Sequence, residues 1–268
     1  MILNNLPMRR FPRTPHIEGS RLQAGDRDLS QVPFSEIAGL NLIIEEKVDG
    51  ANAGLSFSAE RELRLQSRGH YLAGGPRERH FAMFKTWASC HQWALWERLR
   101  DRYLVYGEWM YARHTVFYDT LPAYFLEFDV YDRQADRFLS TDARAELLDG
   151  LPIHSVPILH RGTVASAEAL RGMVAGSQYR STRWREAMTQ AAEAAGQDVA
   201  RLIRETDSTD LAEGLYLKRE EGGAVVGRYK WVRAGFHDTI AAAGGHWLDR
   251  PILPNGLAEG VDIFATDR

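Results

Sequence analysis

Lys47 stands in the run Glu45-Glu46-Lys47-Val48-Asp49-Gly50-Ala51-Asn52, directly after an apolar stretch and just before a turn signal. A lysine fixed at such a mouth can act as a nucleophile, but only as the neutral amine, and an ordinary pKa near ~10.4 keeps it protonated at pH 7. Chemistry at Lys47 therefore needs surroundings that disfavour its charge, such as nearby cations or a bound metal. Groups able to contribute follow in four short blocks. These are Glu108 in Tyr106-Gly107-Glu108-Trp109, Phe128 and Asp129 in the run 125–132, Glu213 and Lys218 in Glu213-Gly214-Leu215-Tyr216-Leu217-Lys218, and Arg228 and Lys230 in Gly227-Arg228-Tyr229-Lys230-Trp231.

These residues must be carried by strands. Leu42, Ile43 and Ile44 read as the end of a buried strand, Asp49-Gly50 as a turn, and Leu55-Ser56-Phe57 as a second extended run; in isolation the three read as a hairpin. Leu63-Arg64-Leu65 alternates and leads into Gln66-Ser67-Arg68-Gly69. In 125–132, strict alternation places Phe128 and Val130 opposite Glu127 and Asp129. Glu213 and Lys218 are five residues apart, so they face opposite ways unless the strand starts after Gly214 or bulges. Residues 78–101 predict a helix with Phe81, Phe84, Trp87, His91 and Leu95 on one packing stripe. The Ala-rich stretch 165–206 predicts two or three helices, with Ser166 and Ser181 as N-caps. Residues 1–33, rich in Pro and Arg, read as an irregular lead-in, in which His16 to Arg21 forms a turn or a wall over a pocket.

The five blocks, in this order over roughly residues 40 to 233, resemble the covalent nucleotidyltransferase superfamily of polynucleotide ligases and capping enzymes, most of all its nick-sealing and RNA-editing RNA ligases. The resemblance implies an α+β fold of the ligase adenylation type, related to ATP-grasp proteins. Its sheets are mostly antiparallel and flanked by helices, with a helical insert before motif IV. It also implies ATP as substrate, Mg²⁺ or Mn²⁺ as cofactor, a lysyl-AMP at Lys47, and RNA partners carrying 5′-phosphate and 3′-hydroxyl ends.

Roles follow from the matching motifs. Lys218 and Lys230 become the cations that lower the Lys47 pKa and screen the triphosphate. Glu108 accepts from a ribose hydroxyl, Phe128 stacks on adenine, and Glu213 supports the divalent ion, with Asp129 structural or in its outer shell. Asn52 lies near the reactive phosphate, Arg68 meets the AMP sugar or an RNA 5′-phosphate, and the neighbourhood of Glu46 recognises adenine. Motif V departs from the usual Lys-x-Lys. Arg228 and Lys230 fill it, with Arg233 as the alternative second base, and an arginine suits phosphate clamping better than proton transfer. A DNA ligase, a GTP-dependent capping-type enzyme and a non-catalytic nucleotide-binding or RNA-end-binding module remain the alternative readings.

At 268 residues and 44% apolar content the chain can bury a substantial core. A net charge of −3 excludes a broadly basic nucleic-acid coat and leaves local clusters, Arg9, Arg10, Arg13 and Arg21 or Arg180, Arg183 and Arg185, as phosphate contacts. One cysteine, Cys90, excludes a disulfide framework and reads as a packed helix residue. No apolar run suits a signal peptide or a membrane span, so a cytoplasmic protein is expected. Phosphate-binding-loop, Rossmann and serine-hydrolase motifs are absent. Residues 1–235 are expected to form the adenylyltransferase domain and 236–268 a short tail without a separate OB domain. RNA recognition then falls to the insert, the lead-in or a partner such as an end-healing kinase-phosphatase.

Overall fold

The computed structural model describes residues 7–22, 31–236 and 250–266. Among the described residues twelve strands fall in chain order: β1 His16–Ile17, β2 Gln31–Val32, β3 Leu42–Lys47, β4 Ala51–Phe57, β5 Leu63–Ser67, β6 Tyr103–Trp109, β7 Phe125–Asp132, β8 Arg137–Phe138, β9 His154–Ser155, β10 Ile158–Gly162, β11 Gly214–Glu221 and β12 Ala224–Val232. They form two sheets. The first runs β10-β3-β11-β12-β1-β2, antiparallel except where β1 lies parallel to β12 and β2; the second runs β5-β4-β6-β7-β8, antiparallel, with β9 parallel to β7.

Strand alternation builds the layers. On β11, Leu215 and Leu217 join Leu42, Ile44 and Trp231 in an outer core, and each such side chain stabilises the sheet by about 1.5–3 kcal/mol. Tyr216 and Lys218 therefore point inward, toward the second sheet. Between the sheets Tyr106, Leu126, Phe128, Val225 and Val232 share a further core.

β3 and β4 do not form the hairpin that Asp49-Gly50 suggests. β3 pairs with β10 and β11, β4 with β5 and β6, so the Asp-Gly segment is the crossing from one sheet to the other. Gly50 serves close approach here. A Cβ at this position would lie 2.6 Å from Met110 Sδ and 3.1 Å from the Trp109 carbonyl.

The helix expected at 78–101 is broken. A 3₁₀ turn, Pro76–Phe81, leads into α1 (Ala82–Cys90) and α2 (Gln92–Leu99). The predicted stripe is nonetheless buried throughout and packs on the second sheet. The break sits at His91, whose Nε2 lies 2.7 Å from the Ile263 carbonyl of the C-terminal segment; a tertiary contact, not helix propensity, sets the boundary. Cys90 is exposed rather than packed, because as the last residue of α1 it lies off the stripe of Phe84 and Trp87.

α3 (Thr141–Leu148) is capped by Ser140, and three helices occupy the predicted insert: α4 (Ala167–Gly172), α5 (Trp184–Ala194) and α6 (Val199–Arg204). Ser166 caps α4, its Oγ accepting from the Ala169 amide at 3.1 Å. Ser181 does not cap α5. It accepts from the Arg183 amide and donates to Asp119, closing a turn before the helix begins. Residues 250–266 pack irregularly on the core, where the Asn255 side chain accepts from the Tyr118 amide and donates to the Met110 carbonyl. The expected tail residues 237–249 and lead-in residues 1–6 and 23–30 lie outside the described residues.

Candidate active site

Lys47 ends β3 on the inward face, where the two sheets part into a cleft. The cleft is lined by Lys47, Glu46, Asn52, Arg68, Glu108, Phe128 and Lys230 from the sheets and by Phe11, Pro12 and Thr14 from the N-terminal segment. Asn52 and Glu108 are register partners across β4 and β6, which explains why residues 56 apart in sequence meet at one rim. The Asp49 carboxylate holds the floor, accepting from the Thr115 and Val116 amides at 2.7 and 2.8 Å.

Glu213 lies just before β11, which begins at Gly214. The strand starts at Gly214, not after it as the odd spacing suggests, but Glu213 itself precedes the strand and so escapes the alternation, accepting from Lys47 Nζ at 2.8 Å. Burial disfavours the Lys47 ammonium, but Glu213, Glu108 and Asp49 outweigh it and hold the lysine above its ordinary pKa. Burial in turn pushes Glu213 up to about 7 and Glu108 up to about 8, against the attraction of Lys47. One Glu108 oxygen, Oε2, is buried without a hydrogen-bond partner.

The expected depression of the Lys47 pKa by Lys218 and Lys230 is not what the structure shows, since the lysine is held above its ordinary value. Lys218 pairs in register with Ile43, four residues along β3 from Lys47, about 13 Å at ~3.3 Å per residue. Fully buried, it contacts Glu45 at 3.0 Å and Asp129 at 3.4 Å and donates to the Phe128 carbonyl. It does not line the cleft.

Asp129 likewise departs from a metal role. It is buried between Lys218 and Arg228, and burial, which would raise its pKa, is overcome by those cations, so the carboxyl is held below its usual range. Strict alternation misplaced it because the β6–β7 register slips between Tyr106 and Gly107. The resulting bulge at Phe128 turns Phe128 and Asp129 both toward the first sheet, while Val130 packs in the core behind the second. Arg228 donates to Asp129 at 3.2 Å and lies over the Phe138 ring at 3.8 Å. It shares the inward face of Lys230 but does not line the cleft, because it sits beside Lys218, two residues deeper along the sheet.

Lys230 and Arg233 are separated cleanly. Lys230 lines the cleft, whereas Arg233 is buried against Asp207 and the Ala212 carbonyl and ties the insert to β12. Glu46 lines the cleft with its carboxylate turned to accept from the Gln178 amide at 3.3 Å, and burial raises its pKa. The basic clusters are mostly engaged. Arg9 stacks on Tyr131 and Arg180 on Trp184, each at 3.7 Å, while Arg183 and Arg185 pair with Glu186 and Asp210. Phe11, Tyr216 and the organising role of Asp49 escaped the sequence reading, although Tyr216 shares the inward face of Lys218 and could have been found by alternation.

No group of three or more metal-ligating side chains gathers among the described residues, and no helix among them is long and apolar enough to cross a membrane. Glu213 and Glu108 supply hard oxygen donors beside Lys47, and a Mg²⁺-sized ion commonly takes only one or two carboxylates together with substrate phosphates.

No curated protein matches the chain significantly. Among solved structures, two Naegleria gruberi RNA ligase variants with ATP and Mn are similar to it at 16% and 17% identity, with TM-scores of 0.48 and 0.49, over 76% and 77% of this chain and 53% of theirs. The Naegleria gruberi RNA ligase with PPi is similar at 18% identity and a TM-score of 0.48, over 76% of this chain and 52% of that one. The chain thus spans about half the length of these relatives. The RNA ligase family model matches residues 40–232, which include Lys47, Glu108, Phe128, Glu213 and Lys230, and the chain belongs to the RNA ligase family.

Proposed function

We propose that the protein is an ATP-dependent RNA ligase that works through a lysyl-AMP at Lys47 in RNA repair. The observation that carries this reading is the cleft itself: one lysine at a strand end, ringed by Glu108, Glu213, Asn52, Arg68 and Lys230. The neutral Lys47 amine attacks the α-phosphorus of ATP; a P–N bond forms, the bond to the β-phosphate breaks, and pyrophosphate leaves. A 5′-phosphate oxygen of RNA then takes the AMP, breaking the P–N bond. A 3′-hydroxyl finally displaces AMP to close the phosphodiester.

In this scheme Lys230 neutralises charge developing on the phosphoryl oxygens. Asn52 and Arg68 orient the phosphate and sugar, Glu108 accepts from a ribose hydroxyl, and Phe128 meets the base. Bound Mg²⁺ or Mn²⁺, held by Glu213 with Glu108 and substrate phosphates, would supply positive charge where Lys47 must lose its proton. Residues 1–235 act as the adenylyltransferase domain and 236–268 as a short tail, in a cytoplasmic protein that receives ends healed by a kinase-phosphatase.

The test is incubation of purified protein with Mg²⁺ and α-labelled ATP or GTP, followed by denaturing electrophoresis. Acid-labile label from ATP alone, absent in Lys47→Ala, is expected. Label from GTP would favour a capping-type enzyme, equal sealing of DNA strands a DNA ligase, and no label from folded, AMP-free protein a binding module.

A further inference from the structure

The N-terminal segment crosses the mouth of the cleft from one sheet to the other and is fastened at both ends. On the second sheet, the Arg9 carbonyl accepts from Gln66 Nε2 at 3.0 Å and from the Tyr106 hydroxyl at 2.8 Å, while the Arg9 guanidinium stacks on Tyr131. On the first, the Lys230 amide donates to the Pro15 carbonyl at 3.0 Å, and His16 pairs in register with Lys230. Between these anchors Phe11 enters the cleft. Its ring lies 5.0 Å from Phe128 at 81° and 5.1 Å from Tyr106 at 64°, with Tyr216 at 6.5 Å.

We propose that Phe11 is a specificity-determining residue of the nucleotide pocket, the edge wall against which the base is set when it stacks on Phe128. This rests on the reading of the cleft as a nucleotide site. Two rings almost perpendicular at van der Waals range make a corner. A flat base laid on Phe128 meets Phe11 along one edge, and that edge faces carbon only. A polar exocyclic group pressed there would lose water without gaining a hydrogen bond, so the corner favours a base whose edge at that point carries C–H. Anchoring at both ends fixes the wall before the nucleotide arrives, which keeps the ordering cost of binding low. A strap that merely tied the sheets together would need its anchors but no aromatic ring in the cleft.

The experiment uses the full chain with Phe11→Ala, Phe11→Leu and Phe11→Tyr. It measures the ATP and GTP concentration dependence of Lys47 labelling, together with melting of the nucleotide-free protein. Phe11→Ala is expected to raise the half-saturating ATP concentration roughly tenfold, the scale of one lost aromatic contact, and to narrow the preference for ATP over GTP, with the maximal rate nearly unchanged. Phe11→Tyr, which keeps the flat ring, should bring the half-saturating ATP concentration back toward the parent relative to Phe11→Ala, and Phe11→Tyr protein as impaired as Phe11→Ala would overturn the ring's role as a wall. Should Phe11→Ala fail to fold, Phe11→Leu, which keeps bulk and loses the flat ring, is read the same way. A lowered melting point with unchanged half-saturation and unchanged ATP-to-GTP ratio would overturn the proposal, as would tighter ATP binding, the mark of a plug. Failure of the parent protein to label with either nucleotide would instead overturn the nucleotide-transfer reading, and this inference with it.

Discussion

Lys47 and Glu213, 166 residues apart in the chain, share a 2.8 Å contact between Nζ and Oε2 at the parting of the two sheets. The ammonium is thus paired with an anion before any nucleotide is present, and Glu108 and Asp49 add to the field that raises its pKa. A nucleophile stored in its protonated form must lose that proton when phosphates and metal arrive, because neutral amine is what attacks. Glu213→Gln removes the nearest anion. In nucleotide-free protein, the pH profile of Lys47 modification by an acylating reagent is expected to move to lower pH. A profile that stays in place would assign the raised pKa to Glu108 and Asp49 instead.

Glu108 makes stability depend on pH. Burial lifts its pKa from the ordinary 4.5 to about 8, so between those values the folded protein holds a proton that the unfolded chain releases. Its contribution is complete below pH 4.5 and is lost as pH rises toward 8. Glu108→Gln, which needs no proton, should stabilise the nucleotide-free protein by about 1–3 kcal/mol at pH 8 and hardly at all at pH 5. Urea unfolding at the two pH values checks this; equal differences at both would show that the carboxyl ionises normally.

Lys218 and Lys230 should fail in different ways. Lys218 is enclosed with Glu45 and Asp129, and Lys218→Met leaves two buried carboxylates short of a cation, at a cost of about 3–5 kcal/mol. Lys230→Met should slow adenylylation of the folded protein by on the order of a hundredfold, as expected for losing one preorganised charge contact. Denaturation and labelling rates on both variants separate the cases. A stable, slow Lys218→Met protein would place that lysine back in the chemistry.

How far the site could be read in advance follows from which constraints are local. Motif order and residue type were enough to single out Lys47, Glu108, Phe128 and Lys230, and the cleft gathers all four. They do not contain the pairing of Gly214 with Lys47, and it is that register which carries Lys218 away from the nucleophile. Nor does period-two patterning reveal the bulge at Phe128, because a bulge is the point at which the period fails. Asp49-Gly50 was legible as a change of direction, but only the partners of β3 and β4 show that it leads to another sheet. Phe11 left no signal, since an irregular Pro and Arg segment has no periodicity to betray an inward-facing ring.

The crossing at Gly50 gives a last test of whether the cleft depends on close approach of the two sheets. A methyl group on residue 50 would press on Met110 Sδ, on the Trp109 carbonyl and, at 3.2 Å, on Glu108 Cβ. Met110 is flexible and can yield, but the carbonyl belongs to β6 and moves only with that strand, so the clash is transmitted to Glu108. Gly50→Ala should therefore destabilise the protein by about 1–3 kcal/mol, the usual cost of overpacking. It should also lower the adenylylation rate at saturating ATP beyond what the unfolded fraction explains. Gly39→Ala is the control for glycine replacement away from the cleft. Gly39 has a positive φ and nothing within 4 Å of an added Cβ, so its cost is backbone strain alone and its labelling rate per folded molecule should match the parent. Equal rates in both variants would mean that the rim tolerates displacement of β6, and that Glu108 is not held to a fixed position by the crossing.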